Sequence, residues 1–181
     1  MAKTTTKTTA KKKRTIQTTR INGAKVRLVT GVDGKITVKP APIDEWILQA
    51  AAVRALKSMP EYADEALAVA DNDNAGCPSF TIAGDMNGDY RSMRAAVKAQ
   101  ATGIAAGDPD LRVYLPGGVL RLIEYKNAEG TFTASQKKRH PLLMALGHPV
   151  VTVKIATEEE AAARTVELVR GWLAEASDKA A

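Results

Sequence analysis

Hydrophobic and polar positions divide this chain into segments of two periods. Residues 119–126 read as a strand. Leu120, Leu122, Glu124 and Lys126 share one face, and Val119, Arg121, Ile123 and Tyr125 share the other. Both faces are largely apolar, the pattern of an inner strand in a covered sheet. Residues 111–115 read as a partner strand, joined through Pro116-Gly117-Gly118. Residues 150–155 are β-branched, with Val151 and Val153 on one face. Residues 43–59, rich in Ala and Leu and stopped by Pro60, predict a helix, and residues 134–146, ended by Gly147, predict another. Thr157 and Glu160 form a capping-box signature for a last helix whose apolar stripe is Val166, Val169 and Leu173.

The earlier segments are less regular. Residues 25–30 and 35–39 alternate around Val32-Asp33-Gly34 and predict a β-hairpin. Residues 61–70 predict a short helix, 71–78 a polar loop, 80–83 a short strand, 85–89 a turn and 90–102 a helix. This order predicts a mixed α/β domain, a central sheet covered by helices. Three regions are expected: a disordered basic tail over 1–22, a β-hairpin extension over 23–41, and a folded domain over 42–181.

The strand pair carries the candidate chemistry. With Pro116-Gly117-Gly118 as a three-residue loop, Leu115 pairs with Val119 and Asp110 lands opposite Glu124. Directly opposed residues share a face, with Cβ atoms about 4.5–5.5 Å apart. Lys126 shares that face because strand side chains alternate. Two carboxylates so close repel unless a cation lies between them. A hard divalent ion such as Mg²⁺ suits oxygen donors. The plainer reading is a turn aspartate beside a solvated strand end. Against it, two charges at the end of an apolar strand are costly without a task.

Composition narrows the partners. The chain has 181 residues, 45% of them hydrophobic, enough for one domain with a core. It has no run of about 18 apolar residues and no apolar signal segment at its start. The single Cys77 excludes an internal disulfide and fits a reducing compartment, and with only two histidines a structural zinc site is not expected. Residues 1–40 hold eleven of the 26 Lys and Arg against one acid, Asp33. The basic run Lys11-Lys12-Lys13-Arg14 has the footprint of a nucleic-acid contact, or of a solvated tail.

Taken in order, five motifs resemble one family. They are Asp44-Glu45-Trp46 with Gln49; Tyr90-Arg91-Ser92; Gly103 with Gly107-Asp108-Pro109-Asp110-Leu111; Ile123-Glu124-Tyr125-Lys126; and Ser135-Gln136, followed by Leu146-Gly147-His148. Over roughly residues 43–160 the chain is similar to the VRR-NUC domain, a branch of the PD-(D/E)XK nuclease superfamily. The resemblance implies a restriction-endonuclease-like fold and a metal-dependent DNA endonuclease selective for four-way junctions or flaps. It implies a small, phage- or prophage-encoded protein acting in the bacterial cytoplasm, with no membrane partner and working as a homodimer. Asp110 and Glu124 would hold Mg²⁺ or Mn²⁺, with the Tyr125 carbonyl as a further ligand and Glu45 as an added carboxylate. Lys126 would orient or deprotonate the attacking water or balance phosphate charge. Gln136 would touch the site or the DNA backbone.

Several residues keep two readings. Glu45 also suits a helix N-terminus, where acids are favoured. Asp108, where the family more often has a small apolar residue, is a further ligand or a solvated turn. Lys137, Lys138, Arg139 and His140 are a solvated helix start or, because cations there oppose the helix dipole, phosphate contacts. Arg91 and Arg94 are phosphate contacts or surface residues, and Lys12, Lys13 and Arg14 would act with the tail. His148 reads as structural, and Trp46 and Trp172 read as core or interface. Two other functions stand beside the nuclease: a non-cleaving DNA- or junction-binding module, and an RNA-directed nuclease. Residues 60–88 receive no role.

Overall fold

A computed structural model of the chain describes residues 13–85, 97–99 and 101–178. It divides into two compact units, Met1–Pro42 and Ile43–Ala181. The first unit is an antiparallel three-stranded sheet of β1 (Thr15–Ile21), β2 (Ala24–Thr30) and β3 (Ile36–Pro40). The expected hairpin is β2–β3. The strand β1 corrects the expectation of a disordered tail through residue 22. Its cause is Asn22-Gly23, which joins Ile21 to Ala24 as a two-residue turn with φ of 49° and 81°. Two positive φ values are what such a hairpin turn demands, and Asn-Gly accepts them best. The register sets Arg20 beside Lys25, and Arg27 beside Lys39, on one face.

The second unit contains α1 (Glu45–Lys57), α2 (Ala66–Asn74), β4 (Thr81–Gly84), β5 (Leu111–Leu115), β6 (Val119–Asn127), α3 (Ala134–Ala145), β7 (Val150–Ile155) and α4 (Glu158–Asp178). Its sheet has the order β4-β5-β6-β7. The first two pairings are antiparallel, and β6–β7 is parallel with α3 as the crossover. The fold is therefore mixed α/β. As expected, Leu115 pairs with Val119 across Pro116-Gly117-Gly118, a tight 3-10 turn with Gly117 at φ 70°. No helix among the described residues is long and apolar enough to cross a membrane.

One sheet face builds the core. Leu111, Val113, Leu115, Ile123, Tyr125 and Val153 point toward Ala52 and Leu56 of α1 and Val169, Trp172 and Leu173 of α4. The fully buried Tyr125 hydroxyl finds its partner in Thr165 Oγ1 at 3.0 Å, and burial raises its pKa above the ordinary tyrosine value. The last helix has the expected capping box: Glu160 N–H donates to Thr157 Oγ1, and Glu160 Oε2 accepts the Thr157 N–H. His148 is structural, its N–H closing the end of α3 on the Leu143 carbonyl at 2.8 Å behind Gly147 at φ 87°.

Two placements differ from expectation. The helix expected at 61–70 lies at Ala66–Asn74. Residues 61–63 are taken by pairing with Phe80: Phe80 N–H donates to the Glu61 carbonyl and Ala63 N–H to the Phe80 carbonyl, each at 2.9 Å. Backbone groups committed there cannot start a helix. Trp46 is 67% exposed and lies in no core, whereas Trp172 does. Most of the turn and helix expected between 85 and 102 lies outside the described residues, though 97–99 are helical.

Leu56 is fully buried between α1 and the sheet. Leu56→Ala should lower the unfolding free energy by about 2–5 kcal/mol in urea titrations. Leu142→Ala, at a side chain 49% exposed, should change it by less than about 1 kcal/mol.

Candidate active site

The β5–β6 ladder stops at Leu111, the residue after Asp110. Continuing that register one step past its last pair, Leu111 with Ile123, brings Asp110 to the level of Glu124. The Tyr125 N–H donates to the Asp110 side chain, at Oδ2, at 2.8 Å. Asp110 is also held through its backbone, where its carbonyl accepts Gln49 Nε2 at 2.8 Å and the Asp85 N–H at 3.0 Å. Gln49 lies one helical turn beyond Glu45, so α1 addresses the site with two side chains from one face.

Glu124 is fully buried. Its Oε1 accepts Lys126 Nζ at 2.6 Å and also Gln136 Nε2. Its Oε2 has no hydrogen-bond partner. Lys126 Nζ donates a second time, to Glu45 Oε2 at 3.0 Å, while Glu45 Oε1 accepts the Asn127 N–H at 3.3 Å. One ammonium thus ties a strand carboxylate to a helix carboxylate. Gly130 makes room for this, since a Cβ there would overlap Glu45 Oε1 and sit 3.1 Å from Lys126 Cδ.

The start of α3 closes the other side. Thr133 and Gln136 form a capping box: Gln136 N–H donates to Thr133 Oγ1 at 3.2 Å, and Gln136 Oε1 accepts the Thr133 N–H at 2.9 Å. The cap fixes the Gln136 amide with its Nε2 turned to Glu124. Gly107 lets the preceding loop approach, because a Cβ there would lie 2.5 Å from the Ser135 carbonyl carbon and its φ is +85°. Asp108 departs from the solvated-turn reading. It accepts Arg112 at 2.9 Å and Arg139 Nε at 2.5 Å, pinning the loop before Asp110 to both β5 and α3.

Charge follows this geometry. Burial first, then the neighbouring Glu124 charge, raises the Asp110 carboxyl from 3.8 to about 6 against the opposing pull of the Tyr125 N–H and Lys126. Burial also raises Glu124, with Lys126 opposing. For Lys126 burial pulls the pKa down, but the hydrogen bonds it donates to Glu124 and Glu45 outweigh it and the net shift is upward. Lys126 is therefore a cation here, not a free amine.

The structure brings Glu45, Asp110, Glu124, Lys126 and Gln136 into one contiguous cluster, with the Tyr125 backbone at its edge. Lys137 and Lys138 are exposed on α3. Arg139 is engaged by Asp108, which corrects the picture of a wholly solvated helix start. Lys13 and Arg14 are exposed in the first unit, while Lys12, Arg91 and Arg94 lie outside the described residues. His140 also departs from the solvated reading. Its Nε2 is buried 3.6 Å from Glu124 Oε2, and Phe132 packs edge-on against its ring at 5.4 Å. The signal for it was spacing: His140 is four residues after Gln136, on the same helix face.

No protein-family model, curated protein or solved structure matches this chain. Among the described residues, no group of three or more His, Cys, Asp or Glu side chains is arranged to hold a metal ion. What the site offers is smaller: hard oxygen donors on Asp110 and Glu124, one of them a buried carboxylate oxygen without a partner.

The raised Asp110 pKa makes a stability prediction. The folded state binds this proton more tightly than the unfolded chain, so the associated stability is present below pH 3.8 and is lost as pH rises through about 6. Asp110→Asn can keep the Tyr125 hydrogen bond without the charge. In metal-free urea titrations the variant should match wild type near pH 4 and exceed it by on the order of 2–3 kcal/mol at pH 7.5. A gap that does not change with pH would contradict the buried-charge account.

Proposed function

We propose that the chain is a metal-dependent DNA endonuclease of the VRR-NUC type, with a restriction-endonuclease-like fold, acting on branched or flapped DNA. The observation that carries this reading is the convergence of Asp110, Glu124 and Lys126 at the open end of β5 and β6, backed by Glu45 and Gln136. The donor set fits Mg²⁺ or Mn²⁺. Mg²⁺ keeps several waters and needs only one or two carboxylates from the protein, and the unpartnered Glu124 Oε2 is a free hard donor. Asp110 and Glu124 would hold the ion, with the Tyr125 carbonyl and, through water, Glu45 as further oxygens. Such an ion, when bound, supplies an activated water and stabilises charge on the scissile phosphate.

The remaining residues have supporting roles. Lys126, held as a cation, balances phosphate charge and orients the attacking water. Gln136 fixes Glu124 through Oε1. Glu45 holds Lys126 in place. Lys137 and Lys138 on α3, and the cations Arg20, Lys25, Arg27 and Lys39 on one face of the first sheet, supply positive charge for a phosphate backbone. A homodimer would match the two-fold character of a four-way junction.

A second reading, a junction-binding module without cleavage, is favoured by one feature. Lys126 is engaged by Glu45 and Glu124 together, so the cluster is already internally paired.

Cleavage of labelled duplex, flap and four-way junction DNA with Mg²⁺ or Mn²⁺ separates the two. Asp110→Ala and Lys126→Ala should each slow cleavage about 100-fold or more, equivalent to ~2.7 kcal/mol of transition-state stabilisation. Full cleavage by both variants would sink the nuclease assignment, and metal-independent binding without cleavage by wild type would establish the second reading.

The basic front makes a separate prediction. Because β1 starts at Thr15, the tail is best removed as residues 1–12, which leaves the first sheet whole. That deletion should weaken DNA binding more at low salt than at high salt, since released counterions drive such contacts. Equal affinity at low salt would remove the tail from the interface.

A further inference from the structure

Glu124 Oε2 and His140 Nε2 are both buried and both lack a hydrogen-bond partner. They face each other at 3.6 Å. That distance is too long for a hydrogen bond. The His140 ring also lies beside the Gly107 backbone. A protonated ring forms an ion pair with the carboxylate at this distance but no hydrogen bond. An unprotonated Nε2 sets lone pair against lone pair.

A metal ion resolves it. Ligand bonds of about 2.0–2.2 Å to oxygen and nitrogen let two donors sharing one ion lie up to about 4 Å apart, and 3.6 Å falls within that span. The surroundings suit a ligand. Histidines that bind metals typically give their second nitrogen to a backbone carbonyl or carboxylate, which fixes the ring. Phe132, edge-on at 5.4 Å, holds the ring from the outside. The other Glu124 oxygen is committed to Lys126 and Gln136, so Oε2 alone is available.

We propose that His140 is a direct ligand of the site's divalent ion, shared with Glu124, and that it biases the site toward Mn²⁺ over Mg²⁺. This rests on the metal-dependent reading above. Mg²⁺ prefers oxygen donors and an unstrained octahedral shell, whereas first-row transition ions accept imidazole more readily.

The test is Mn²⁺ binding to the full chain without DNA, followed by electron spin resonance for nitrogen coupling and by titration calorimetry. Wild type should show ¹⁴N coupling from one imidazole and bind Mn²⁺ at least tenfold more tightly than Mg²⁺. His140→Gln should lose the coupling and lose tenfold or more in Mn²⁺ affinity, with a smaller change for Mg²⁺. Bound Mn²⁺ without ¹⁴N coupling in wild type, or no Mn²⁺ binding at all, overturns the proposal. The wild-type spectrum decides even where the variant does not fold. Cleavage measured in parallel separates the two claims. Asp110-dependent cleavage without ¹⁴N coupling removes the histidine and leaves the nuclease. Coupling without cleavage of any substrate removes the nuclease and leaves the ligand.

Discussion

Burying the Glu124 carboxylate requires that its charge be met from within the protein, and the second unit is arranged around that requirement. A carboxylate taken out of water is costly, and an ion pair recovers the cost only with good geometry and further hydrogen bonds. Lys126 supplies the opposite charge from two residues along the same strand, and Gln136 adds a donor. Lys126 in turn would be left over-charged, and Glu45 answers it from the first turn of α1. Each of these partners comes from a different element. The helix α1, the strand β6 and the cap of α3 therefore meet at one point.

The same requirement is only partly satisfied, and that is where chemistry enters. Asp110 adds a second carboxylate whose ionisation is opposed by burial and by Glu124. Glu124 Oε2 and His140 Nε2 remain without partners. A fold selected for stability alone has little reason to keep these features together, and the cation site proposed above would give them one.

Legibility in the sequence followed the locality of the information. The Leu115–Val119 register came from counting across Pro116-Gly117-Gly118, a turn whose glycines have positive φ and whose length sets it. The last helix announced itself through Thr157 and Glu160 for the same reason. The strand Thr15–Ile21 was obscured by Thr- and Lys-rich composition, although Asn22-Gly23 marked its turn. The shift of the second helix depended on Phe80 pairing with residues 61–63, a contact local pattern cannot reveal. His140 was hidden inside a run of basic residues, and only its spacing from Gln136 pointed inward. The engagement of Lys126 by Glu45 spans 81 positions, and the clamp of Asp108 on Arg112 and Arg139 joins three segments. Such contacts emerge only when the sheet is assembled.

The proposed role of this cluster is to hold a divalent ion beside a cationic lysine. Anomalous diffraction from crystals grown with Mn²⁺ should then show one strong peak in contact with Asp110 and Glu124 Oε2, with Lys126 Nζ nearby. No peak there at saturating Mn²⁺, with Lys126 still joining Glu45 to Glu124, would contradict it.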